Sequence, residues 1–232
     1  MLLAELEIWH SRPIAPTRRV ALGRRLLPLA PAPGFGGLLL GAIVASHIVD
    51  LDPEVVPELS VLLDDLQAGR RIAQPRLRHR LQVDHIGLAK STHRLLGSGD
   101  ELEFHLKAEG SPATQVLGAA YAAGRIDRAH RAATMDVLRR AMRWRGDVDA
   151  TLVAHLSGAI GVRARSAGAF AHPELWARNV LGFTDGDAPA RREVQRRFRS
   201  LLRDAHPDAG GAHAHAAQRI AELTEARDIL LD

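Results

Sequence analysis

Residues 190–208 read ARREVQRRFRSLLRDAHPD. Val194, Phe198, Leu201 and Ala205 fall at steps of four, three and four, which places them on one stripe of a helix. Arg192, Arg196, Arg199 and Arg203 repeat those steps two residues earlier. At about 100° per residue, that shift turns the arginines to nearly the opposite side. One face is built to pack and the other to present a row of positive charge. The run ends at His206-Pro207-Asp208. Proline cannot continue a helix and pushes the residue before it out of helical geometry, so the helix stops at Ala205 or His206. Further on, Ala216, Ile220, Leu223 and Leu230 form a second apolar stripe, with Glu222, Glu225 and Asp228 outside it. Two apolar stripes joined by a turn predict an antiparallel helix pair.

Upstream, Leu175–Gly182 predicts a short helix closed by a C-terminal glycine. The loop Thr184–Asp187 then leads to Pro189, near the first turn of the arginine helix. Taken together, residues from about His172 to Asp232 resemble the J-domain of the DnaJ family of co-chaperones. The resemblance is carried by Val180-Leu181-Gly182, by Val194, Phe198 and Leu201, and by His206-Pro207-Asp208 at the tip. Ile220, Leu223, Ala226, Ile229 and Leu230 carry it on the last helix. The chain departs from the family pattern at Arg227, where an aromatic is common on the packing side, and its stem must then lie on the core with the head outward. Ala209 replaces a frequent basic residue after the tripeptide, and Ala205 stands where an aromatic often precedes it. Gly210-Gly211, His213 and His215 belong to the loop that follows, and no metal site is expected there.

The resemblance implies a partner, an ATP-loaded chaperone of the DnaK class, whose ATP hydrolysis the domain would stimulate. It implies His206, Pro207 and Asp208 as the essential loop and Arg192, Arg196, Arg199 and Arg203 as the docking face toward an acidic surface. Such a domain is not itself a catalyst. It shifts its partner's conformational equilibrium through contacts favoured in one state.

The 232 residues are enough for one large domain or two ordinary ones, and 46% hydrophobic content can fill a core. Aromatics make up only 4%, so the cores are expected to be aliphatic. The sequence pI is about 10.4 although the formal charge is only +4. Lys90 and Lys107 are the only lysines, so the high pI is an arginine effect. A charge of +4 does not imply nucleic-acid binding. The basic tracts Arg70–Arg80 and Arg139–Arg145 carry that reading as a lesser alternative. The absence of cysteine excludes disulfides, a thiolate zinc site and a cysteine nucleophile. Met1–Glu5 has no basic and apolar leader pattern. The most apolar window, Phe35–Val49, falls short of the roughly 20 residues of a spanning helix and reads as a buried core helix. The expectation is a cytoplasmic protein without membrane attachment.

Before the J-like region, Glu5–Trp9 and Glu101–Leu106 alternate polar and apolar residues as half-buried strands do, and they are expected to pair in one small sheet. Arg12–Arg25 is basic and punctuated by Pro13 and Pro16, and Pro28, Pro31 and Pro33 extend it as a connector. Helices are expected at Leu38–Val49, Pro57–Gln67, Val83–Leu96, Asp127–Trp144 and Asp147–Leu156. Another runs from Ser111-Pro112, a good cap and first-turn pair, to about Ala123. Gly87–Thr92 only looks like the end of a phosphate loop, since Asp84 and Ala89 occupy its glycine positions. His79, His85 and His93 lack any zinc-binding spacing. No catalytic residue, metal ligand or cofactor is assigned.

The expected fold class is therefore mostly α. An α-rich α+β domain of unknown type, with two possible strands, covers 1–165, and an all-α J-domain covers 172–232. The first domain is expected to recruit an unknown client or fix a location. The alternative makes it a ligand-binding or enzymatic module with an accessory J-domain, recognisable by a pocket with convergent polar groups.

Overall fold

The computed structural model describes residues 1–12, 18–30, 32–98, 101–107, 109–157, 173–183, 189–205 and 213–231. The chain divides into two compact units. One comprises Met1–Ser98 and Leu102–Gly158, the other Gly99–Glu101 and Ala159–Asp232. The fold is mixed α+β, with eight α-helices and a five-stranded sheet among the described residues.

The first unit is organised around α1, Gly34–Ile48, in which all residues except Phe35 and Ser46 are buried. A helix that is apolar all round must be covered on every side. On one side lies a sheet of β1 (Leu2–His10), β2 (Arg19–Leu26), β3 (Arg80–Leu81), β4 (Ala89–Ser98) and β5 (Glu101–Leu106), in the order β3-β2-β1-β4-β5. β1 is the central strand and runs antiparallel to both β2 and β4, and β3 joins β2 in parallel. Helix α3 (Pro112–Gly124) lies beside α1 against the sheet. Helices α2 (Val56–Gln67), α4 (Arg128–Ala141) and α5 (Ala150–Ser157) close the far side.

Alternation along β1 sends Ala4, Leu6, Ile8 and His10 to the helix-covered face, all of them buried. The opposite face is polar and matched in charge. The buried Glu5 pairs with Arg94 at 2.7 Å and Arg24 at 3.5 Å, and Glu7 pairs with Lys90 at 3.0 Å. Close packing of the helices rests on glycine. A Cβ at Gly118 would lie 2.5 Å from Ile8 Cδ1, and one at Gly41 would lie 2.7 Å from Leu156 and 2.8 Å from Val137. Ser111 caps α3 by accepting the Thr114 N–H.

Several expectations are corrected. The expected α-rich α+β character of the first part is found, but its sheet has five strands where two were expected. Val83–Leu96 is not helical: a loop is followed there by β4, whose inward positions are Ser91, His93 and Leu95. Two polar residues in that row erase the apolar alternation that marks a strand. The tract Arg12–Arg25 is not mere connector, because Arg19–Leu26 is β2, with Val20, Ala21 and Leu22 buried. Its Arg24 is a counterion for Glu5. Glu5–Trp9 and Glu101–Leu106 do lie in one sheet, but β4 separates them and they do not pair.

The second unit contains α6 (Pro173–Leu181), α7 (Arg191–Asp204) and α8 (His213–Leu231). Gly182 follows α6 at φ 72°, the left-handed conformation that ends a helix. Ala177, Leu181, Val194, Phe198, Leu223 and Ala226 form one buried cluster. α7 and α8 run antiparallel, since Arg191 at the start of α7 donates to the Leu231 carbonyl at the end of α8 (3.1 Å). Among the described residues no helix is long and apolar enough to cross a membrane.

Gly118→Val is expected to force Ile8 from its place in the sheet and destabilise the first unit by about 1–3 kcal/mol. Urea unfolding monitored at the three tryptophans checks it, and an unchanged midpoint contradicts the packing described.

Candidate functional site

On α7 the sequence-predicted faces are realised. Val194 and Phe198 are buried against the other helices, and Arg192, Arg196, Arg199 and Arg203 are all exposed. Two of these arginines make local contacts on their own helix. Arg196 pairs with Glu193 at 3.1 Å, and Arg199 Nε donates to the Gln195 carbonyl at 3.3 Å. Surface contacts of this kind are weak and leave a cationic face open to a partner. The helix closes with Ala205 N–H donating to Leu201 at 2.9 Å. His206, Pro207 and Asp208, the next residues, lie outside the described residues, as do the side chains of His213 and His215.

Arg227 turns its head onto the core rather than outward. Its guanidinium lies 4.7 Å from the centre of the Phe198 ring and donates to Asp228 at 2.8 Å. A cation over an aromatic face takes the place of an aromatic pair there. Beside it a groove of about 430 Å³ runs between α7 and α8, rimmed by Arg199 and Arg227 and floored by Phe198 and Leu231.

Five arginines of the basic tracts make contacts within the first unit. Arg70 and Arg76 both pair with Asp65 at 3.0 and 3.2 Å, and Arg139 pairs with Asp64 and Asp136. Arg140 donates to the Leu156 carbonyl, and Arg145 to the carbonyls of Met142 and Trp144. Cations spent in this way contribute little to a phosphate-binding surface.

The first unit also holds a buried polar cluster that the sequence did not reveal. His10, Ser91, His93 and Gln115 are at most 2% exposed, and His47 is 5% exposed. The proton positions follow from one carbonyl, Glu109 O, which can only accept. Ser91 Oγ donates to it at 2.7 Å and Gln115 Nε2 donates at 2.5 Å. With its own proton so committed, Ser91 Oγ accepts from Gln115 Nε2 at 3.0 Å and from His10 Nε2 at 3.1 Å. The other end of the Gln115 amide is then its oxygen, which accepts from His93 Nε2 at 2.9 Å. His93 Nδ1 is left bare, buried and without a partner. His47 donates from Nδ1 to the Ile43 carbonyl at 2.8 Å, leaving Nε2 in the same condition. The two rings stand perpendicular, 6.2 Å apart.

This arrangement is not a Ser–His nucleophile. The hydroxyl donates away from the histidine and is sealed from solvent, whereas a nucleophile must hand its proton to the base. Nor do the described residues bring three His, Asp or Glu side chains together to hold a metal ion. What the cluster does is join β1, β4, α1 and α3 through hydrogen bonds and the His47–His93 ring contact. Burial pushes the His93 pKa down from 6.5 to about 4, against the hydrogen bond to Gln115 and with help from His47 and His10. His79, His85 and His93 make separate contacts: His79 is buried in a turn, and His85 stacks on Trp9 at 4.5 Å.

No known protein family, curated protein or solved structure matches this chain.

Above pH 6.5 the His93 ring is neutral in both folded and unfolded chains. Between 6.5 and 4 the unfolded chain takes up a proton that the folded one refuses, so stability falls as pH falls. The loss across that window is expected to approach about 3 kcal/mol. Urea unfolding between pH 7 and pH 4 measures it. His93→Gln flattens the slope, and an equal slope in the variant refutes the assignment.

Proposed function

We propose that residues 172–232 act as a J-domain, which docks on a DnaK-type ATP-dependent chaperone and stimulates its ATPase. In this reading residues 1–165 supply client or location specificity, and the protein works in the cytoplasm as a regulator of a partner's catalysis. The observation that carries the reading is the division of α7. Its apolar side is consumed by packing against the neighbouring helices, and four arginines stand exposed on the other side. The row runs toward His206-Pro207-Asp208, so arginine face and tripeptide are successive parts of one chain segment.

Such a face suits a partner surface rich in carboxylates. Guanidinium groups meet carboxylates in bidentate geometry, and the long-range attraction speeds encounter and fixes register more than it adds affinity. The contacts weaken as salt rises. The tripeptide then supplies the contacts that distinguish one state of the chaperone from another, without which binding shifts nothing.

The test is steady-state ATP hydrolysis by a DnaK-type chaperone with and without the full chain. The wild type is expected to stimulate hydrolysis with a marked fall at high salt. His206→Gln is expected to return it to the basal rate while the circular dichroism spectrum stays unchanged. Arg196→Glu with Arg199→Glu is expected to raise the concentration for half-maximal stimulation by about tenfold or more. A folded His206→Gln protein that stimulates as well as the wild type would sink the proposal.

A further inference from the structure

The segment Arg76–His79 reverses on a turn that most sequences would build from other residues. Arg76 and His79 exchange both backbone hydrogen bonds, each 2.8 Å, so Leu77 and Arg78 are the central pair. Their φ angles are 45° and 62°, both in the left-handed region. Glycine, asparagine or aspartate normally occupies such positions, because a Cβ there crowds the backbone. Surrounding contacts hold the conformation. Leu77 N–H donates to Glu58 Oε1 at 3.0 Å, its carbonyl accepts from His79 Nδ1 at 2.6 Å, and its side chain is 2% exposed. Strain kept in place by its surroundings points to what it presents.

It presents Arg78 to a cavity of about 150 Å³, lined also by Arg18, Asp50, Asp52, His79 and Ser111. Among the described residues, none of these two arginines and two aspartates has an ion-pair partner within 4.0 Å. Two arginines and two aspartates, all four exposed, therefore line one small open cavity without pairing to one another, and Asp52 Oδ1 accepts the Glu54 N–H at 3.0 Å. His79 is buried beneath them. Its Nδ1 donates to the Leu77 carbonyl, and burial, with the charge of Arg18, lowers its pKa against that hydrogen bond.

A simple anion in this cavity would meet two carboxylates, and a simple cation would meet two guanidinium groups. A molecule carrying both charges satisfies all four. The volume, about 150 Å³, is on the scale of a small molecule such as a small amino acid. We propose that the first unit binds a free α-amino acid here, its carboxylate on Arg18 and Arg78 and its ammonium on Asp50 and Asp52. This inference is independent of the co-chaperone reading.

The full chain is titrated with glycine, alanine and serine by calorimetry and by amide chemical shifts, with acetate, methylammonium and phosphate as single-charge probes. A saturable complex with at least one amino acid is expected, about tenfold or more tighter than with any single-charge probe. Arg78→Gly removes the guanidinium and relieves the left-handed strain. It is therefore expected to raise thermal stability while weakening amino-acid binding at least about tenfold. Asp50→Asn is expected to weaken the amino acid and leave acetate unchanged. Absence of saturable amino-acid binding at millimolar concentration overturns the proposal. So does equal binding of phosphate or acetate, or wild-type affinity in the Arg78→Gly protein.

Discussion

The first unit depends on the enclosure of one helix. α1 has no polar side to offer to water, so it is stable only if a sheet covers one flank and other helices cover the rest. That demand explains why β1 carries Ala4, Leu6 and Ile8 inward. It also explains the glycine at position 41, where α5 and α4 press closest, and the one at position 118, where α3 meets Ile8. Burial at this density is what makes single additional methyl groups costly.

Enclosure brings a polar cluster inside with it. The inward positions of β1 and β4 end in His10, Ser91 and His93, and they are admissible only because Gln115 on α3 and the Glu109 carbonyl satisfy them. A buried network that is fully consistent in one protonation state fixes the register of the strands and helices it joins. Here His47 Nε2 and His93 Nδ1 are each buried without a hydrogen bond. The hydrophobic core and the polar cluster are thus one object seen from two sides.

Much of this was legible in the residues. The uninterrupted apolar window gave α1, Ser111-Pro112 gave the start of α3, and alternation gave β1 and β5. The opposed stripes of 192–205 gave the two faces of α7, including which side would be exposed. What escaped were the strands whose inward residues are not hydrophobic. β4 hides behind Ser91 and His93, and β2 hides in a run of arginines whose charges are answered by Glu5 and other acceptors far away in sequence. The left-handed pair Leu77-Arg78 was equally invisible, since neither residue type signals that conformation. In each case the deciding partner is distant along the chain, and a local pattern cannot register it.

The division of α7 has a consequence for how this protein can change. The residues that hold the second unit together and the four outward arginines are interleaved along α7 on different faces. Substitution on the outer row leaves the packed row untouched. Affinity for a binding surface can therefore drift, sharpen or reverse its charge preference over successive generations while the three-helix scaffold keeps its stability. A helix partitioned in this way separates the evolution of recognition from the maintenance of the fold.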